Sequence, residues 1–409
     1  MSALAVDLVR LLAALAVLVA SAAFARQLAR WARQPAVLGE LTLGLVLGPS
    51  ILGAALPGVR GYLLGGPNAP LLDALAWLGL ILFMLVAGAE MSWHGRDGLP
   101  AFGVASGGMI LAATTAILLG LTRPQWYFDG PVTGAGLLML AILFTVTALP
   151  VLARILADTG LLSSRTGGIV LAAATVDDVV GWTVLGLASA SAGHAGITHH
   201  LALDLALVAA VLLGAFALDR LLTPALVQRI RLEPSHLFVA ILVATFAAAM
   251  FTHKAGLHAV VGALAVGALV SRHPGVREEV TTRFRGIAAV VLLPLFFVLT
   301  VGQADLGLLG TAGGLIALLA TCAAMSFGKM GGAYVGARVA HLDRPKALAV
   351  ALLVNARGAV GLVVVKVGLD AGLLSPDGFS VLVLGIVVTT LVAAPLLSWH
   401  LKRVGAAAL

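Results

Sequence analysis

Residues 166–190 read TGGIVLAAATVDDVVGWTVLGLASA, an apolar stretch with Asp177 and Asp178 side by side near its middle. As a helix it rises about 37 Å, more than the roughly 30 Å hydrocarbon core of a bilayer. A charge at that depth costs roughly 2.5–3.5 kcal/mol on the insertion scale, so buried carboxylates usually serve an ion or proton path. The stretch therefore predicts a membrane-spanning helix carrying a working pair of acids.

The rest of the chain has the same character. It is 409 residues long, 61% hydrophobic and only 11% charged, with a mean hydropathy of +1.09. That composition excludes an ordinary soluble domain. Apolar runs that reach across a bilayer fall at about 4–24, 35–56, 70–90, 99–121, 132–156, 166–190, 200–222, 235–252, 256–272, 285–303, 307–338, 346–368 and 379–400. The fold class expected is an all-α polytopic membrane protein with about 13 transmembrane helices. The run at 307–338 is overlong and glycine-rich, so it is tilted, bent or differently bounded.

The net charge of +7 is a topology signal, not a site for a polyanion. With the N-terminus outside, 18 of the 25 Lys and Arg fall in inner segments, while only Arg60, Arg123 and Lys254 fall in outer loops. This is the positive-inside pattern, and it puts the C-terminus in the cytoplasm. No nucleic-acid partner is implied; the lipid bilayer is the partner. Ala23-Phe24-Ala25 imitates a signal cleavage site, but cutting there would leave Arg26, Arg30 and Arg33 outside. The lone Cys322 excludes an intramolecular disulfide and a cysteine metal cluster. No HExxH, GxSxG, Walker or Rossmann pattern stands in a credible context, so an enzyme is not expected and no cofactor is called for. No soluble regulatory domain is expected after the last span.

Two halves echo each other. Val37-Leu38-Gly39-Glu40-Leu41-Thr42-Leu43-Gly44 resembles Val260-Val261-Gly262-Ala263-Leu264-Ala265-Val266-Gly267, and Phe83–Gly88 resembles Phe297–Gly302. Each pair lies seven spans apart, and an odd offset inserts the copies in opposite directions, as in many secondary transporters. The expected division is residues 1–190 as the first half, 191–234 as a linker span with its loop, and 235–409 as the second half. By that offset, the fifth span, with Thr145-Val146-Thr147-Ala148-Leu149-Pro150, matches the twelfth, with Asn355-Ala356-Arg357-Gly358. Proline and glycine loosen a helix and free backbone groups to face a cavity.

Counting 1.5 Å per residue from the basic boundaries puts Asp177, Arg357, Lys329 and Thr145 at about 13–17 Å depth, near the middle of the membrane. Lys329 and Arg357 balance Asp177 and Asp178, leaving a formally neutral core. A cation arriving at the aspartates competes with protons and with Lys329, which is the requirement for exchange. Blander roles stand beside these. Thr145, Thr147 and Asn355 also suit interhelical hydrogen bonding. Arg357 also suits capping of helix ends, and Lys329 a structural ion pair. Glu40 reads as structural, Lys366 as snorkelling, and His194, His199 and His200 as solvated loop residues.

Thr145–Leu162 followed by Ala172–Trp182, with Pro35–Ser50, Leu78–Glu90 and Asn355–Leu362, resembles the monovalent cation–proton antiporter superfamily. Within it the chain is similar to the second branch, which holds bacterial sodium/proton and potassium/proton exchangers and plant endomembrane cation exchangers. That resemblance implies an inverted-repeat fold with two crossed broken helices at Thr145–Pro150 and Asn355–Gly358. It also implies a homodimer in which a core domain moves against a dimerisation domain. Asp178 is then the main carboxylate for cation and proton, with Asp177 beside it and Lys329 paired to Asp177. Plant exchangers usually carry Asn at the position of Asp177, whereas two aspartates with Lys329 resemble electrogenic sodium/proton exchangers. The expected activity is exchange of Na⁺ or K⁺ for H⁺ in a bacterial inner membrane. A sodium-coupled carrier of an organic solute on a related fold is the alternative, and a gated cation channel a third.

Overall fold

In a computed structural model the described residues are 7–32, 34, 36–90, 98–148, 152, 155–156, 159, 161, 164–192, 234–254 and 259–404. Among them are sixteen α-helices and no strand. The helices are α1 (Leu8–Trp31), α2 (Ala36–Leu47), α3 (Pro57–Leu64), α4 (Ala69–Glu90), α5 (Gly98–Thr122), α6 (Gly134–Thr145), α7 (Arg165–Ala192) and α8 (Pro234–Lys254). They continue as α9 (Ala259–Val270), α10 (Pro274–Ile287), α11 (Leu293–Val301), α12 (Ala312–Ser326), α13 (Gly332–Val339), α14 (Arg344–Val354), α15 (Ala359–Asp370) and α16 (Pro376–Val404). Among the described residues, eight helical runs are long and apolar enough to cross a membrane. The chain is an integral membrane protein. The expected span at 200–222, Pro150 and the three loop histidines lie outside the described residues.

The overlong run at 307–338 resolves into parts with a physical cause. Residues Leu306–Gly310 form a separate 3₁₀ turn, so the membrane helix begins at Ala312. A π-helical turn, Phe327–Gly331, then joins α12 to α13 and carries Lys329. Such bulges widen the hydrogen-bond ladder locally and often mark functional positions.

The chain forms two compact units that interleave in sequence. One comprises Met1–Leu15, Gly66–Ser92 and Trp182–Phe296. In it α9 lies on α4 and α8. Gly88 and Gly267 face each other so closely that a Cβ on either would strike the other helix's backbone. Its core joins Leu82, Leu85, Val86, Ile241, Val280 and Phe284. Phe284 stacks on Phe238 at 4.6 Å, with Arg283 over the other ring at 5.3 Å.

The second unit comprises Ala16–Gly65, Trp93–Gly181 and Phe297–Leu409. Here α5 and α13 run antiparallel, Gly103 against Gly336 and Gly107 against Gly332. Small residues four apart let two backbones touch, which is how helices associate where lipid offers no hydrophobic drive. The contact continues to Gly328 against Ala112 and Thr115, fixing the π-turn that bears Lys329.

The two glycine-rich segments paired by sequence share a packing pattern. Gly39 of α2 lies on Ala25 of α1, and Gly262 of α9 lies on Ala248 of α8. Gly44 meets Val298 and Val301 of α11, while Gly267 meets Leu85 and Gly88 of α4. Glu40 of α2 is buried and pairs with Arg26 at 3.4 Å. Lys366 bonds Asp370 at 2.6 Å and Gln303 at 3.2 Å rather than reaching free into the interface.

Candidate functional site

Two interruptions meet within the second unit. α6 ends at Thr145 and Val146 turns to an extended conformation. α14 ends at Val354, and α15 starts only at Ala359. The two irregular segments touch through backbone, since the Ala148 amide donates to the Ala356 carbonyl at 3.0 Å. Thr147 ties them again. Its Oγ1 lies 2.8 Å from Asp177 Oδ2 and 3.1 Å from the Val354 carbonyl, so one hydroxyl proton serves two acceptors. Thr390 of α16 holds the second interruption by donating to the Arg357 carbonyl at 2.9 Å.

Ending a helix inside a membrane strands its last four carbonyls, and no water stands ready to satisfy them. In α6 all four are taken. Ile142 accepts from the Val146 amide and the Thr145 hydroxyl. Leu143 and Phe144 accept from Arg357 Nη1 and Nη2 at 2.8 and 2.9 Å. Thr145 accepts from Lys329 Nζ. Two cations therefore sit at the negative end of the α6 dipole, where positive charge is stabilised.

Their remaining partners differ. Lys329 Nζ lies 2.5 Å from Asp177 Oδ2. Arg357 Nη2 instead reaches the Met325 carbonyl at 3.0 Å, near the start of the π-turn. Arg357 thus makes its hydrogen bonds to backbone carbonyls rather than to a carboxylate. Asp177, Lys329 and Arg357 are each 1% exposed. At that burial an unpaired charge costs several kcal/mol, so each ion needs its ligands.

Asp178 is 7% exposed, slightly more open than its neighbour. Consecutive helical residues point about 100° apart, so the two acids cannot share Lys329 equally. Asp178 Oδ1, Asp177 Oδ1 and Asn355 Oδ1 are buried oxygens with no hydrogen-bond partner among the described residues. Buried acceptors are almost always satisfied. Carboxylate oxygens in this state suit a hard monovalent cation or a proton.

Of the residues singled out by sequence, Thr145, Thr147, Asp177 and Lys329 form one bonded group. Arg357 joins it through α6, and Asp178 adjoins it along α7. Asn355 and Gly358 lie in the second interruption. Sequence reasoning missed the carbonyls of Met325 and Val354 and the hydroxyl of Thr390. Only Thr390 had a signal, the polar pair Thr389-Thr390 inside an apolar span.

Apolar helices long enough to cross a bilayer, with two helix ends meeting beside buried charged side chains, are the architecture of a membrane transport protein. The chain belongs to the family of transmembrane sodium/hydrogen exchangers, whose sequence profile matches residues 16–403. That is a family of secondary transporters, not of enzymes. The chain is similar to the Na(+)/H(+) antiporter NhaS4 of Synechocystis, with 30% identity over 89% of this chain and 90% of that protein. It is also similar to the K(+)/H(+) antiporter 1 of Saccharomyces cerevisiae, at 30% identity over 89% of this chain but only 43% of that protein. Among solved structures, the sodium proton antiporter MjNhaP1 from Methanocaldococcus jannaschii has a like fold. The TM-score is 0.72 over 98% of this chain and 100% of that one, at 14% identity.

Proposed function

We propose that the protein exchanges a monovalent cation, Na⁺ or K⁺, for protons by alternating access, with both cargoes competing at Asp177 and Asp178. The observation that carries this is the pairing state of the two acids. Asp177 spends one oxygen on Lys329 and Thr147, while its other oxygen and Asp178 Oδ1 are buried without a partner among the described residues. A cation held between Asp178 and the second oxygen of Asp177 draws on the negative charge that holds Lys329, and a proton neutralises it. The activities named for the cyanobacterial and yeast relatives agree with this reading.

The fold is read as thirteen spans in two inverted halves, 1–190 and 235–409, about a linker at 191–234. The matching glycine contacts of α2 and α9 support it, because each meets the preceding helix and then a helix of the other half. The protein is further read as a homodimer of a bacterial inner membrane, N-terminus outside and C-terminus inside.

The test uses purified protein in liposomes loaded with a pH dye. Pulses of Na⁺, Li⁺ or K⁺ alone should move protons, and Asp178→Asn should reduce that flux by at least about 100-fold while leaving the protein monodisperse. Flux that requires an organic solute, or cation flux without proton movement, would defeat the reading.

A further inference from the structure

The second interruption carries one polar side chain whose oxygen the scaffold does not use. Asn355 follows α14 in a helical conformation, its backbone N–H bonding back to the Leu353 carbonyl. The residue is 3% exposed, yet its side-chain Oδ1 has no hydrogen-bond partner among the described residues. Elsewhere, amide oxygens in this state fall beside helix ends, on Gln34 after α1 and on Asn68 before α4. Asn355 instead stands where the two interruptions meet.

Thr147 shows how near the acids are. Its Oγ1 reaches Asp177 Oδ2 at 2.8 Å and the Val354 carbonyl at 3.1 Å, so those two acceptors lie at most about 6 Å apart. Asn355 is the next residue, so its short side chain starts from that same corner. Arg357, the only charge in the interruption, is spent on the carbonyls of Leu143, Phe144 and Met325. What this segment adds to the acids is therefore a neutral oxygen. A carboxylate takes up a proton or a cation, whereas an amide oxygen is an acceptor with no titrating proton. Oxygens of both kinds are ligands for hard cations.

We propose that Asn355 Oδ1 is a neutral ligand of the transported cation, acting together with Asp177 Oδ1 and Asp178 Oδ1. It strengthens cation binding and leaves proton binding to the acids, so it weights their competition toward the cation. The assignment rests on the exchange reading above.

Proteoliposomes loaded with a pH dye are assayed at one alkaline pH, where protons compete least, with Na⁺, Li⁺ and K⁺ titrated in turn. Asn355→Leu is similar in size but lacks the oxygen. It should raise the half-saturating cation concentration about 10- to 100-fold, the factor one polar contact to an ion supplies. Its maximal rate and melting temperature should stay near wild type. Asn355→Ala should behave alike, so either suffices if the other fails to fold. Asn355→Asp puts an oxygen back and should return half-saturation to near the wild-type value. Wild type in which no cation alone moves protons would defeat the exchange reading and this assignment together. Wild-type exchange with half-saturation unchanged in the oxygen-free variants would overturn the assignment alone. So would failure of both to fold, or a lower melting temperature and rate at unchanged half-saturation, since either makes Asn355 structural.

Discussion

Lys329 and Arg357 cap the same helix end at the same burial, yet they are ions of different kinds. Lys329 answers to a carboxylate as well as a carbonyl. Arg357 answers to carbonyls of Leu143, Phe144 and Met325. A carboxylate can change its charge by taking a proton or a cation, and a carbonyl cannot. The Lys329 side of the site therefore has two states available, and the Arg357 side has one. Arginine's rigid fork and permanent charge suit the fixed role, and the single ammonium suits the variable one. On the proposed function, the contrast would separate scaffold from working part within a few residues.

The comparison breaks most visibly at Arg357. Arg357→Met strands three carbonyls away from water, and no substitution elsewhere can remove them. A loss on the order of 3–5 kcal/mol is expected, as for deleting one member of a buried polar set. Detergent-solubilised protein should aggregate or melt far below wild type in a fluorescence size-exclusion assay. A variant with an unchanged melting point would place the two cations in one class after all.

Lys329→Met should be milder, because the stranded Asp177 can neutralise itself by protonation. The variant should fold, with exchange shifted in its pH dependence rather than simply lost. Adding Asp177→Asn should then recover most of the remaining stability, since replacing both partners of a buried pair is often neutral. Thermal melts of the single and double variants read this directly. Failure of the double variant to recover would mean that Lys329 serves mainly the Thr145 carbonyl, making it structural like Arg357.

Thr147 sharpens the contrast at a smaller scale. Its hydroxyl sits between the variable carboxylate and a fixed carbonyl, Val354, of the other interruption. Thr147→Val should cost about 1 kcal/mol of stability, the worth of one net hydrogen bond. It should raise the half-saturating cation concentration several-fold, and Thr147→Ser should restore it. Wild-type cation dependence in the valine variant would remove Thr147 from the ion path.

What was legible in the sequence follows side-chain charge rather than the division between variable and fixed parts. Charges inside apolar runs stand out because burial makes them rare, so Asp177, Asp178, Lys329 and Arg357 announce themselves. Gly358 marks loosened backbone in the same way. Backbone acceptors have no such signature, because every residue carries a carbonyl. Nothing in the sequence shows that Arg357 turns to Leu143 and Phe144, or that the Ala148 amide meets Ala356. The π-turn at Phe327–Gly331 is equally silent, though the glycines around it hint at close packing. Pairings such as Arg26 with Glu40 depend on rotation about α1 and α2, which a run of small apolar residues leaves undetermined.

The smallest effect lies at the exposed end of α14, the helix that leads to the second interruption. Asp343 caps its first turn, accepting from the Lys346 amide at 3.0 Å. That bond, chiefly, holds its carboxyl below the usual carboxylate range. A lowered folded value means the cap stabilises above the unfolded pKa of about 3.9 and is lost as pH falls through the folded one. Asp343→Ala should cost about 1 kcal/mol near neutrality, with the gap to wild type closing in acid. Asp343→Asn keeps a capping oxygen without a charge, so its melting point should not share that acid loss. If alanine instead matched wild type at every pH, α14 would draw nothing from its solvent end. It would then be anchored wholly by the buried groups that meet Val354 and Arg357.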